Sequence, residues 1–383
     1  MVLTGAITRA GGGSGMASDA TQTQLTTAEI SQACRSLGVG EVIRLEPLSL
    51  GWNASVYLLQ TDRKASYVLR VTPHQAMTEA KGVLRAASWL AVRGIPVVLP
   101  LPLGSERVFS VAGYPAALYP YRPSDPFDPG CTSQLQSAVA LLSRLHRLAS
   151  TCPGPEFTIV PNHVDYLKHA ADLLTTNPLW ICCLTELLPD YAESLRQLPD
   201  MCHEYASRLT RILPNLPHAV IHGEYHPHNL IWNGSDIVGL IDLDGVRWDA
   251  RLVDLCVAAY CFTHDFASIS NGPAMRPEPF LRFLALYAEY AELEEAELRA
   301  LPDVLAGTAL RDAVKAVLRI RRYPPDKNSL LVLRNRMALY RMAIESTRLL
   351  RQHLLQSVHT TGGSVSPKIS PAGRPPASTS ETH

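Results

Sequence analysis

His222-Gly223-Glu224-Tyr225-His226-Pro227-His228-Asn229, followed downstream by Ile241-Asp242-Leu243-Asp244-Gly245, is the stretch on which the reading of this chain turns. It places a carboxylate, an amide and a second carboxylate in fixed order. Phosphoryl transfer needs a carboxylate to accept or orient a hydroxyl proton, an amide oxygen on Mg²⁺, and a carboxylate on the metal that bridges the phosphates. Glu224, Asn229 and Asp242 are the candidates for those three catalytic roles, with Asn229 and Asp242 as metal ligands. Asp244 either assists the metal or caps the turn before Gly245. Glu224 stands five positions before Asn229, the acid-to-Asn spacing of a phosphotransfer loop, and Asp242 ends a β-prone run.

Around this stretch the chain changes period once. Ala219-Val220-Ile221, Leu230-Ile231-Trp232 and Ile237 to Ile241 read as short strands, an island in an otherwise helical half. Leu135, Val139, Leu142 and Leu145 recur at helical spacing behind Thr132 or Ser133 as caps, and 189–212, 278–290, 293–321 and 328–355 show the same pattern. The N-terminal half is strand-like from Val42 to Val71, with Ser55 to Leu59 and Tyr67 to Val71 joined by the polar turn Thr61-Asp62-Arg63-Lys64. A helix is expected from Met77 to Arg93, ended by Gly94 and Pro96, with Val97-Val98-Leu99 and Ala116 to Tyr119 as further strands. The fold class read from these periods is α+β, a small β-rich N-terminal part followed by a mainly helical part. The flanks, 1–27 and 356–383, are poor in apolar residues and are expected to be disordered; the Gly-Gly-Gly-Ser stretch before Met16 marks that residue as a candidate start.

The segment His222 to Asn229 with Ile241 to Asp244 resembles the H-G-D-x-x-x-x-N and I-D-x-[DE] motifs of the aminoglycoside phosphotransferase family. Leu141-Leu142-Ser143-Arg144-Leu145-His146 is similar to that family's L-A-R-L-H helix, and Arg251-Leu252-Val253-Asp254-Leu255 to its R-x-x-D-L segment. The similarity covers roughly 41–350, and Phe280 to Pro302 looks most like the homoserine kinase-like branch. The resemblance implies a bilobal protein-kinase-like fold, with an N-lobe over 28–118, a hinge at 119–123 and a C-lobe over 124–355, and a small-molecule kinase that uses ATP and Mg²⁺, with ATP between the lobes. It also implies that Arg70, in the place of a family lysine, meets the phosphates and pairs with Glu79. Gly51, Asn53 and Ser55 would belong to the phosphate loop, and Tyr119 and Tyr121 to the hinge beside adenine. The acceptor would be a small-molecule hydroxyl, on an amino alcohol, a sugar or an aminoglycoside-like compound, entering past a wall formed in part by 262–276. Asp254 is expected to order the catalytic loop and His222 to buttress it.

One departure stands at the centre. The family carries Asp where this chain has Glu224, and one more methylene moves the carboxylate by roughly 1.5 Å. A glutamate can still take a hydroxyl proton, which favours an active enzyme; the alternative is a nucleotide-binding pseudokinase that serves as an interaction module. A zinc hydrolase built on His222, Glu224 and His226 is a further rival, opposed by Gly223 and Pro227, which disfavour the helix that an H-E-x-x-H site needs.

Composition narrows the setting. The 383 residues are 46% hydrophobic, enough for a sizeable core, and Lys plus Arg equals Asp plus Glu at 35 each, so no charge excess points to nucleic acid. Eight cysteines without CxxC spacing read as reduced, packed thiols, Cys182-Cys183 among them. No apolar run reaches membrane-spanning length, and the first 27 residues have one cation, Arg9, and no signal-like apolar core. A cytoplasmic protein without a membrane or nucleic-acid partner is expected; oligomeric state is left open.

Overall fold

Strand alternation builds the N-terminal sheet and decides which side chains face the rest of the molecule. The computed structural model describes residues 25–48, 54–102, 105–148, 162–176, 178–263, 277–322, 330–331, 333–341 and 343–345. Helix α1 (Thr27–Ser36) leads into β1 (Val42–Leu48), β2 (Ser55–Thr61) and β3 (Ser66–Val71), then α2 (Met77–Val92), β4 (Phe109–Val111) and β5 (Tyr114–Pro120). The strands form one antiparallel sheet in the order β1-β2-β3-β5-β4. Its register sets Val56 opposite Arg70, Arg70 opposite Ala117 and Val68 opposite Tyr119, so these five share one face. The other face carries Tyr57, Leu59, Leu69, Val71 and Leu118, which bury against Leu25, Ile30 and Cys34.

That packing corrects the expected N-terminal boundary. Leu25 is buried in the sheet's core, and Thr26 caps α1 through a reciprocal box with Glu29, in which Thr26 Oγ1 accepts from the Glu29 amide at 3.2 Å. Residues 25–27 are thus ordered. Val97-Val98-Leu99, expected in the N-terminal sheet, instead reaches the other lobe. Val97 bridges Leu240 in parallel, the Val98 amide donates to the Leu240 carbonyl at 3.1 Å, and Leu240 donates to Pro96 at 2.7 Å. The α2 helix leans the same way, burying Ala86, Ala87 and Leu90 in the core of the helical lobe.

The second lobe holds α3 (Thr132–Arg147), α4 (His163–Thr175), α5 (Pro178–Leu187), α6 (Ala192–Ile212), α7 (Arg251–Thr263), α8 (Pro277–Tyr290) and α9 (Glu295–Arg322). Two small antiparallel pairs interrupt it: the hairpin of β7 (Leu230–Asn233) with β8 (Asp236–Leu240), and β6 (His218–Ile221) with β9 (Arg247–Ala250); β6, β7 and β8 lie where short strands were expected, and β9 was not foreseen. Helix α7 is the axis of the lobe. Every residue from Leu252 to Phe262 is buried, including one carboxylate, Asp254, as an all-round apolar helix requires. Each fully buried Leu, Val or Phe there is worth about 1.5–3 kcal/mol.

Several local expectations needed correction. Helix α3 is capped by Cys131, not by Thr132 or Ser133, and without a side-chain bond. On α3, Arg144 is exposed and His146 is buried. Cys182 and Cys183 are exposed. Residues 333–341 are helical, with Leu333, Met337 and Tyr340 in the core. Among the described residues no helix is long and apolar enough to cross a membrane.

Candidate active site

The catalytic stretch begins where β6 ends, and its backbone is pinned by a carboxylate from α7. Asp254, fully buried, accepts the amides of His222 at 2.8 Å and Gly223 at 2.9 Å, one on each oxygen. Behind it, His146 Nε2 lies 3.4 Å from Asp254 and Nδ1 lies 2.8 Å from the Tyr287 hydroxyl. Burial raises the Asp254 pKa, but the His146 and loop bonds outweigh it and hold the carboxyl below the ordinary aspartate value.

Gly223 has φ +81, and a Cβ there would stand 2.5 Å from the Gly245 carbonyl and 2.7 Å from Arg247 Nη1. At Gly245 a Cβ would meet the His222 carbonyl at 2.8 Å. The loop from His222 to Asn229 and the loop from Asp242 to Gly245 therefore cross at a distance only two glycines permit. His222 completes the crossing: Nδ1 accepts the Glu224 amide at 3.3 Å, which leaves Nε2 to donate to the Ile241 carbonyl at 3.0 Å. Both ring nitrogens are thus engaged. That leaves His222 no free nitrogen for a metal in this arrangement, and among the described residues no group of three or more His, Cys, Asp or Glu is placed to hold a metal ion.

Asn229 sits in the single turn Pro227–Asn229 and is completely buried. Its Nδ2 donates to the Glu224 carbonyl at 2.9 Å and lies 3.2 Å from His226 Nε2, while its own carbonyl accepts the Ile241 amide at 3.0 Å. Its side-chain oxygen Oδ1 is buried with no hydrogen-bond partner among the described residues. An orphaned amide oxygen is expensive to bury unless something takes it.

Asp242 follows directly, in the left-handed conformation with φ 60. Burial and the neighbouring Asp244 and Glu224 raise its pKa, and Arg70 opposes them. From the cleft face of β3, Arg70 donates Nη1 to Asp244 at 3.1 Å and Nη2 to Asp242 at 3.3 Å, with a second Nη2 bond to Asp244. Burial disfavours the guanidinium charge, but Asp244 and Asp242 more than offset it. An amide oxygen and two carboxylates form a set of hard oxygen donors that fits Mg²⁺.

The expected Arg70–Glu79 pair is not formed. Glu79 is exposed in the first turn of α2, where its carboxylate accepts the Ala76 amide at 3.0 Å. At that third helical position it satisfies an otherwise unpaired amide, and Arg70 is taken by two half-buried carboxylates instead. Ser55 is buried at the start of β2, while Gly51 and Asn53 lie outside the described residues. Tyr119 lies beside Arg70 and packs with Ala54, Val56 and Val68, an apolar patch on the cleft face. The Tyr121 amide donates to Ser66 at 3.1 Å, so that donor is committed to the sheet and cannot serve adenine. Of the expected wall at 262–276, only Phe262 and Thr263 are described, and Phe262 is core, edge-on to Phe127 with centroids 5.2 Å apart.

Glu224 itself is half-buried and ion-paired with Lys315 of α9. Burial alone would raise its pKa, yet Lys315 and then Arg311 overcome that and hold the carboxyl far below the ordinary glutamate value of 4.5. Arg311 places Nη1 3.5 Å from the Gly223 carbonyl. Close by, Asp312 accepts from the Tyr260 hydroxyl at 2.5 Å and from Arg336 at 3.4 Å. Sequence reasoning missed all four of these charged residues. The available signal was Arg311, Asp312 and Lys315 lying among Ala313, Val314, Ala316 and Val317, with the two cations four apart on one helix face.

Residues 44–298 match the model of the phosphotransferase enzyme family. The chain is 26% identical over 318 residues to a homoserine kinase of Parvibaculum lavamentivorans, covering 80% of this chain and 90% of that one. It is likewise 26% identical over 303 residues to a homoserine kinase of Nitrobacter hamburgensis, covering 76% and 84%. Among solved structures it shares the fold of spectinomycin phosphotransferase, with TM-score 0.59 at 13% identity over 85% of this chain and 98% of that one. An amicoumacin kinase aligns with TM-score 0.54 at 18% identity over 78% and 88%. With its bilobal α+β architecture, the chain belongs to the phosphotransferase enzyme family, as a small-molecule kinase.

Proposed function

We propose that the protein transfers the γ-phosphoryl group of ATP to a hydroxyl of a small amino alcohol. One observation carries this reading: Asn229, whose buried Oδ1 has no hydrogen-bond partner among the described residues, accepts the Ile241 amide on its backbone carbonyl next to Asp242, while Arg70 reaches Asp242 and Asp244 from the other lobe. Asn229, Asp242 and Asp244 would hold Mg²⁺, which when bound neutralises charge on the transferred phosphate. Arg70 supplies fixed positive charge on the nucleotide side, and the patch of Ala54, Val56, Val68 and Tyr119 offers an apolar seat for a base. Glu224 orients the acceptor hydroxyl and takes its proton. The homoserine kinases among the relatives favour an amino alcohol over a sugar or an aminoglycoside as acceptor. The N-lobe, hinge and C-lobe divide the work as nucleotide seat, connector and acceptor platform.

A second reading draws on the Glu224–Lys315 pair, which occupies the carboxylate that would act as base. It is an interaction module that binds Mg·ATP without turnover. An ADP-release screen over homoserine and other amino alcohols, choline-like amines, sugars and aminoglycosides separates the two. Acceptor-dependent ADP release is expected, strongest with an amino alcohol. Binding of Mg·ATP in a thermal-shift assay with no release from any acceptor would establish the interaction module instead.

A further inference from the structure

The segment that carries Glu224 is fixed at both ends of its backbone. The Gly223 amide is held by Asp254 at 2.9 Å, the Glu224 amide by His222 at 3.3 Å and the Glu224 carbonyl by Asn229 at 2.9 Å. Its side chain is then gripped from α9, 91 positions further along the chain, by the Lys315 ammonium. Helix α9 is itself rigidly seated, with Ala309, Ala313, Val314 and Val317 buried. Arg311, one turn before Lys315, bonds the Gly223 carbonyl, so one helix holds the segment by backbone and by side chain. Burial and Arg311 lower the Lys315 pKa, with Glu224 and Asp312 opposing them. Among the described residues, Arg336, His226, Tyr166, Cys261 and Asp242 also face the pair.

With both anchors fixed, the length of the side chain between them is fixed too. We propose that Lys315 is the positioning residue of the acceptor-side carboxylate, and that residue 224 is glutamate because only the longer acid spans from the pinned loop to α9. This rests on the phosphotransfer reading of the site. An aspartate there falls short of Lys315 by roughly 1.5 Å, one C–C bond. Its carboxylate would then drift from the place at which the acceptor hydroxyl is met, and a misplacement of about 1 Å is worth on the order of 100-fold in rate.

The test is a kinetic cycle on the full chain, with wild type, Glu224→Asp, Lys315→Met, Lys315→Arg and the double variant Glu224→Asp/Lys315→Met. The acceptor is the best one from the ADP-release screen. Glu224→Asp should lower kcat by roughly 10- to 100-fold with the KM for Mg·ATP unchanged. Lys315→Met should lower kcat by about tenfold and Lys315→Arg should recover most of it, because arginine keeps the charge. The double variant should be no slower than the slower single one, as expected for two residues acting as a unit. A faster Glu224→Asp enzyme, additive losses, or Lys315→Arg no better than Lys315→Met would overturn the proposal while leaving phosphotransfer standing. If wild type releases ADP with no acceptor, phosphotransfer fails, and the pair is read from thermal unfolding of Glu224→Gln, Lys315→Met and their double variant. Coupled stability changes there support the clamp, and additive ones refute it.

Discussion

Replacing Asp242 by asparagine is expected to lower kcat by on the order of 10³-fold, the kinetic equivalent of several kcal/mol of lost metal-borne charge stabilisation. Asparagine is the informative substitution because Asp242 sits at φ 60, a left-handed conformation that asparagine adopts with less strain than alanine. Alanine would add backbone strain of about 1–2 kcal/mol and confuse two effects. The substitution keeps shape and removes charge. Arg70 loses one carboxylate but keeps Asp244, to which it makes two bonds, so the contact between the lobes should survive and thermal unfolding should stay close to wild type. Steady-state ADP release checks this directly. A variant that retains more than about a tenth of wild-type kcat would show that the metal is held elsewhere.

The second large effect falls on folding and activity together. Asp254→Ala removes the acceptor of two buried amides and leaves His146 facing a void, and breaking a buried charged network of this kind costs about 3–5 kcal/mol. A fall in Tm of roughly 4 °C or more follows, since one kcal/mol is worth about 1–2 °C in a chain of this length. The kcat should fall at least tenfold as well, because Gly223 and Glu224 lose their backbone anchor. Asp254→Asn should sit between, since its amide can replace at most one of the two acceptor oxygens. The pH dependence has a definite sign. The folded-state carboxyl lies below the ordinary value of 3.8, so its stabilisation is complete above that pH and is lost as pH falls through the lower folded value. The Tm gap between wild type and Asp254→Asn should therefore be constant near neutrality and shrink below pH 3.8. An Asp254→Ala protein with wild-type Tm would mean that the loop is ordered by something else.

What was legible in the sequence is what is encoded locally. Glu224, Asn229 and Asp242 belong to one short stretch whose spacing is set by two hairpin-like crossings, and Gly223 and Gly245 are required there by backbone contact. Helical and strand periods separated the lobes for the same reason. What escaped was tertiary. Lys315 is 91 residues from Glu224, and Arg70 is 172 from Asp242 and 174 from Asp244, so no spacing rule could pair them. Glu79 was assigned to Arg70 as the carboxylate of the next helix, but a glutamate at the third helical position has a local partner, the Ala76 amide, that outcompetes a distant one. Val97 to Leu99 has strand composition and pairs with Leu240 across the lobes, because a short apolar run states that it will be buried but not against what. The helix pattern around Arg311 and Lys315 was recognised while its charged face went unread.

Asn229 and Asp242 are expected to meet one nucleotide-bound divalent ion beside Glu224. Crystals grown with Mn²⁺ and a non-hydrolysable ATP analogue, with the manganese located by anomalous scattering, test it most directly. The expected result is manganese bound to the Asp242 carboxylate and the Asn229 side-chain oxygen, with the nucleotide phosphates between the lobes and Arg70 turned to them. Manganese and nucleotide seated away from Asn229 and Asp242, with the Asn229 oxygen still unpartnered, would contradict it.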